Sequence, residues 1–145
     1  MADFIYTTKG TKSFKDLRIS TKENLKSIAK KDIQNKQTGI IARMTREEVK
    51  KSISKKAVDK SIEHGYTKEE HFEVLNDIEN LFIESKFDYK EPDNKGRDME
   101  VYRFLTDTIV NGKMAQAKIT VFVKNEGNNK IYTLELRNLT KPTSS

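Results

Sequence analysis

An Asn-Gly pair between two runs of β-branched and aromatic residues is the feature that most limits what this chain can fold into. Residues 101–110 precede Asn111-Gly112 and residues 113–123 follow it. Asn-Gly accepts the positive φ angles of a two-residue type I′ turn, whose twist matches that of paired antiparallel strands, so the pair predicts a β-hairpin. In such a turn Val110 faces Lys113, and counting outward sets Arg103 opposite Thr120 and Leu105 opposite Lys118. A third strand over residues 131–137, reached through the turn residues 125–129, completes an antiparallel meander.

This register sorts the two faces of the sheet, because successive side chains point to opposite sides. Tyr102, Phe104, Val110, Ala115, Ala117, Ile119, Val121 and Val123 share the face expected to be core, and simple alternation adds Tyr132, Leu134 and Leu136. The other face collects Arg103, Asp107, Gln116, Lys118, Thr120, Thr133, Glu135 and Arg137, with Leu105 and Phe122 among them. It is polar and net basic.

Ahead of the meander the chain reads as helical. Residues 4–19 suggest a small β-hairpin, and a short helix is expected from Ser20 or Thr21, since Leu25, Ile28, Ala29 and Ile33 fall at helical spacing. The apolar run over residues 40–44 is a strand or a buried lead-in. Thr45-Arg46-Glu47-Glu48 and Thr67-Lys68-Glu69-Glu70 are capping boxes, in which the Thr and the Glu three residues later satisfy each other's backbone N–H groups. They predict one helix running to His64, with Gly65 as its left-handed cap, and a second along His71, Val74, Leu75, Ile78, Leu81 and Phe82. Residues 88–99 are rich in charge and turn formers and read as an exposed connection.

The expected architecture is therefore α+β in a single domain over 1–145: a hairpin, helix and apolar segment in 1–44, two capped helices in 45–87, the meander in 100–138 and a frayed tail in 139–145. Apolar residues make up 34% and charged residues another 34%, so the core should be small beneath a heavily charged surface. A formal charge of +6 favours a polyanionic or acidic partner. There is no cysteine, and the two histidines lack HxxxH spacing, so neither a disulfide scaffold, a thiol nucleophile nor a zinc centre is expected. No glycine-rich nucleotide loop, GxSxG elbow or calcium-type acidic loop is present, and no cofactor is expected. Residues 1–6 lack the basic and apolar regions of a secretion signal, and no apolar stretch suggests a membrane span.

Candidate chemistry concentrates on the polar sheet face. Arg103, Lys118 and Thr120 bring a guanidinium, an ammonium and a hydroxyl within cross-strand reach, a set able to bind a phosphate and stabilise charge developing on it during RNA cleavage. Glu135 on the third strand is a candidate base. The same residues also fit an ordinary wetted face of an antiparallel sheet. His71 has two readings: packing at the fourth helical position against Tyr66, or acid/base work. His64 is explained by its place at a helix C-terminus. The lysines from Lys50 to Lys60 read either as a solvated helix face or as a track for a phosphate backbone.

The segments 39–45 and 50–54, His71 opening a helix that ends Asn80-Leu81-Phe82, and the closing strands 117–124 and 131–136 together resemble the large polyvalent protein associated domain group. Its relatives include the barnase, EndoU, colicin and RelE-like nucleases of phage polyproteins and polymorphic toxins. The resemblance implies helices on a four-stranded antiparallel sheet and, in nuclease members, metal-independent RNA cleavage on the sheet face by variable sets of polar residues. Carried over, it singles out His71, Lys118, Thr120 and Tyr132, although the register turns Tyr132 toward the core.

The function expected is a toxin-type ribonuclease with His71, Arg103, Lys118, Thr120 and Glu135 catalytic and Lys50, Lys51, Tyr132, Thr133 and Arg137 binding RNA. Its site of action would be cytoplasmic after delivery within a larger secreted or phage polypeptide, and its partners RNA and an acidic immunity or antitoxin protein. A non-catalytic module docking on protein or nucleic acid through the same basic face is the alternative.

Overall fold

The computed structural model describes residues 4–29, 31–93, 95–96, 99–124 and 129–138. In chain order the elements are β1 (Ile5–Tyr6), α1 (Phe14–Leu25) prolonged by a 3₁₀ turn (Lys26–Ile28), β2 (Ile33–Gln34), β3 (Ile41–Ala42), α2 (Arg46–Ser52), α3 (Lys55–Glu63), α4 (Lys68–Leu75) and α5 (Ile78–Glu84), then β4 (Lys86–Pro92), β5 (Met99–Val110), β6 (Lys113–Lys124) and β7 (Lys130–Asn138). This is the expected α+β arrangement, with helices first and an antiparallel meander last.

The hairpin forms in the predicted register along its whole length, from Val110 opposite Lys113 out to Met99 opposite Lys124. Asn111 has φ +49° and Gly112 φ +78°, the backbone that a type I′ turn requires. On its other side β5 carries two short neighbours end to end. β4 pairs antiparallel with residues 100–105, and β1 pairs parallel with Ile109 and Val110, which makes the sheet five-stranded and mixed. The four-stranded, all-antiparallel sheet implied by the resemblance is corrected by these two strands.

Between β6 and β7 the register shifts after Thr120, which faces Thr133, whereas Val121 faces Ile131. The extra residue is a β-bulge at Tyr132, and it reverses the side to which the following and preceding residues point. Ile131 therefore joins Leu134 and Leu136 in the core, and Tyr132 leaves it to stack on Phe122 with ring centroids 4.3 Å apart. Unbroken alternation, which turned Tyr132 inward, is corrected here.

Several other boundaries differ from the sequence reading, each for a visible reason. Residues 4–19 are not a hairpin: Ser13 caps α1 by accepting the Asp16 N–H at 3.1 Å, and Phe14, Leu17, Thr21 and Leu25 turn one stripe inward at helical spacing. The helix expected up to His64 breaks at Ile53, because Ser54 competes as a cap and accepts the Ala57 N–H at 3.2 Å. Ile62, expected on its apolar stripe, is 47% exposed. The next helix breaks at Asp77, whose carboxylate accepts from Tyr6 Oη at 2.6 Å and from Asn80 Nδ2 at 2.8 Å. Within the connection expected over 88–99, residues through Pro92 pair with β5 as the end of β4. Both capping boxes and the left-handed Gly65, with φ +93°, form as expected. The frayed tail expected over 139–145 lies outside the described residues.

The core fills the space between α4, α5 and one face of the sheet, with Phe72, Leu75, Leu81, Phe82, Phe104, Ile119 and Leu134 fully buried. Phe82 meets Phe104 edge to face at 5.2 Å. α2 and α3 pack along β7 and close its outer edge: Ser52 Oγ donates to the Tyr132 carbonyl at 3.1 Å, Ser61 Oγ accepts the Leu136 N–H at 3.0 Å, and Tyr66 Oη donates to the Arg137 carbonyl at 3.3 Å. These bonds take up backbone groups on the outer edge of β7 that could otherwise recruit another strand. No helix among the described residues is long and apolar enough to cross a membrane.

Candidate functional site on the polar sheet face

The register writes the open face as three rows across β5, β6 and β7: Arg103–Thr120–Thr133, Leu105–Lys118–Glu135 and Asp107–Gln116–Arg137. Facing residues within a row stand about 5 Å apart, and rows follow each other at about 7 Å. In the first row an Arg103 Nη donates to Thr120 Oγ1, while the other donates to Glu91 on β4 at 2.9 Å. Arg103 Nε is buried and has no hydrogen-bond partner. In the second row Lys118 Nζ lies 3.9 Å from one Glu135 oxygen, and His64 Nε2 lies 3.4 Å from the other. In the third row Arg137 Nε donates to Gln116 Oε1 at 3.1 Å, and Gln116 Nε2 donates to Asp107 at 3.2 Å.

A cleft of about 610 Å³ opens over the first row and the Glu135 end of the second, with Lys51, Lys56 and Lys60 on the helical side and the stacked Phe122 and Tyr132 in its lining; Lys118 lies beside it, behind Glu135. Glu91, Asp93 and Glu135 are its carboxylates, set against Lys51, Lys56, Lys60, Lys95 and Arg103. Burial pushes the Lys118 ammonium below the usual lysine range; Glu135 opposes this, and Arg103, Arg137 and Lys60 add to it by repulsion. An anion bound here would meet cations already crowded together.

Of the residues expected from the sequence, Arg103, Lys118, Thr120, Thr133, Tyr132 and Glu135 come together on this face, with Arg137 one row away. Lys51 lines the cleft, but its neighbour Lys50 lines a different one on the other flank of α2. His71 is not brought to the face. It is fully buried on α4, with Nε2 3.1 Å from the Ser52 carbonyl and Nδ1 2.8 Å from Ser61 Oγ. A carbonyl only accepts, so Nε2 carries the proton and Nδ1 accepts from the Ser61 hydroxyl. Burial holds its pKa down to about 4, which keeps the ring neutral.

Two members of the site were not assigned to it from sequence. His64 reaches Glu135 because the Gly65 cap ends α3 beside β7, a neighbourhood invisible until the helix is known to pack on that strand. Glu91 belongs to the segment read as a connection, and only the pairing of β4 with β5 brings it to Arg103. Among the described residues no cluster of three or more His, Asp or Glu side chains is arranged to hold a metal ion.

The family model described as Large polyvalent protein-associated domain 3 matches residues 12–132, and the chain belongs to that family. The match runs from just before α1 to Tyr132, so Glu135 and Arg137 lie beyond it. No curated protein and no solved structure matched the chain.

Proposed function

We propose that the sheet-face cleft binds single-stranded RNA and cleaves it without a metal ion, by moving the 2′-oxygen onto the adjacent phosphorus. Arg103 and Thr120 hold the non-bridging phosphate oxygens, with the guanidinium exchanging Glu91 for the phosphate, which it can grip through two parallel N–H bonds. Glu135, oriented through its second oxygen by His64, takes the 2′-hydroxyl proton. The bond from the 2′-oxygen to phosphorus forms, the bond from phosphorus to the 5′-oxygen breaks, and Lys118 gives that oxygen a proton. The products are a 2′,3′-cyclic phosphate and a 5′-hydroxyl.

The observation that carries this reading is the pair of adjacent rows, in which a guanidinium, a hydroxyl and a carboxylate line one cleft and the Lys118 ammonium, of lowered pKa, stands beside that carboxylate 3.9 Å away. A lysine with lowered pKa gives up its proton more readily, which suits a general acid. The stacked Phe122 and Tyr132 offer rings on which a base can lie. The resemblance of the sequence to a domain group with metal-independent nucleases of phage polyproteins and toxins among its relatives favours the same chemistry. It adds an acidic immunity or antitoxin protein as the natural cover for the face.

A second reading has its own support. In the resting face Arg103 is held by Glu91 and Thr120, and Glu135 by Lys118 and His64, so the charges are neutralised in pairs as they would be in a docking surface. Incubating a labelled single-stranded RNA oligonucleotide with the protein in EDTA separates the two. The ribonuclease reading expects cleavage that falls about 10²- to 10³-fold in Lys118→Ala and in Glu135→Gln, with both variants folded. Salt-sensitive binding without products would assign the face to docking.

A further inference from the structure

The other flank of α2 holds a second cleft, of about 780 Å³, between α1 with its 3₁₀ turn and the start of α2. Its rim carries Lys22, Lys26, Lys31, Arg46 and Lys50, its floor is apolar, and no carboxylate or aromatic ring lines it. Lys26, Lys31 and Lys50 are paired at the rim with Glu23, Glu79 and Glu47. Lys22 and Arg46 have no ion pair among the described residues. Five cations around one concavity raise the local concentration of anions, and the unpaired two add charge that nothing nearby offsets.

We propose that this cleft is a second phosphate-binding subsite for the RNA strand that enters the sheet-face cleft, an inference that rests on the reading of that cleft as an RNA site. Continuity supports it. Lys50 lines this cleft and Lys51, the next residue of α2, lines the other, so the two are separated by the width of one helix, about 10–12 Å. A strand of a few nucleotides crosses that distance and carries a charge at every step. Without an aromatic ring the cleft lacks a stacking platform of the usual kind, so its contacts are mainly with the sugar-phosphate backbone and largely independent of sequence. One cleft thus holds the strand while the other positions the bond. The apolar floor also suits an acidic amphipathic helix, and the test must tell the two apart.

Uncleavable 2′-O-methyl oligouridylates of about four and about sixteen nucleotides serve as probes, with binding to the full chain read by fluorescence anisotropy. The longer one should bind about tenfold or more tightly than the shorter, with a steeper salt dependence. In Lys22→Glu/Arg46→Glu that margin disappears while affinity for the short probe holds; both residues are exposed, so the fold should survive, and Lys22→Gln/Arg46→Gln replaces the pair if thermal stability falls. A margin that persists in the variant, or an equal loss for both lengths, overturns the proposal. A synthetic Leu/Glu amphipathic peptide that binds wild type but not the variant, with no length margin for RNA, would overturn it in favour of a protein partner. If the protein cleaves no RNA and the margin still depends on Lys22 and Arg46, the catalytic reading fails and the subsite stands.

Discussion

His71 shows how burial decides the role of a residue type that otherwise invites a catalytic reading. Its ring ties three helices to the sheet, since Ser52 belongs to α2, Ser61 to α3, and Ser61 in turn holds the Leu136 N–H of β7. With a folded pKa near 4 against 6.5 for the free side chain, the unfolded chain binds more protons between those values. Stability therefore rises with pH across that window and is lost on acidification, by about 3 kcal/mol between neutral pH and pH 4. Urea unfolding at several pH values should show this slope in wild type and a shallower one in His71→Gln; identical slopes would remove His71 from the explanation. Glu91 offers the complementary case on the surface. Because its carboxylate occupies Arg103 at a partly exposed site, Glu91→Gln should strengthen RNA binding severalfold at most, as read by titration with a short uncleavable oligonucleotide. Weaker binding would mean that Arg103 does not receive the phosphate.

The hairpin of β5 and β6 positions most of the site, and its turn can be tested without touching the cleft. At Gly112, φ is +78° and an added Cβ would meet nothing within 4 Å, so the cost of Gly112→Ala is purely conformational, about 1–2 kcal/mol by chemical denaturation. A neutral substitution would contradict the type I′ assignment. This turn is also where sequence reasoning reached furthest: Asn111-Gly112 alone set the register that all twelve facing pairs keep, although the strands run on past the expected start at residue 101 to Met99, and with it the neighbourhood of Arg103, Thr120, Leu105 and Lys118. The bulge at Tyr132 was not legible, because no Gly marks it and an alternating pattern fits one slip as well as none. Helix starts were readable from Thr45 and Thr67, whose caps are local. The helix break at Ile53 depends on Ser54, and the break at Asp77 on a local bond from Asn80 together with a partner as remote as Tyr6, which no local pattern announces. The strand character of β4 escaped for a related reason, since six of its seven residues are exposed and only pairing with β5 makes them a strand.

At the scale of the molecule, the helices bury one face of the sheet and cover part of the β7 edge, leaving the basic face of the meander available to a partner. The net charge of +6 suits a polyanion, and in the proposed function the two clefts on either side of α2 divide the work, one cutting the strand and the other holding it. Membership of the Large polyvalent protein-associated domain 3 family accounts for the fold's setting but assigns no chemistry to it, so the claim stands or falls on the sheet face. The most direct measurement is incubation of the purified protein with total tRNA and rRNA in EDTA, followed by mapping and chemical characterisation of the new 3′ ends. The account predicts fragments ending in a 2′,3′-cyclic phosphate, formed by wild type and not by Glu135→Gln. Intact RNA in the presence of folded wild-type protein, or fragments that the Glu135→Gln variant produces equally well, would contradict it.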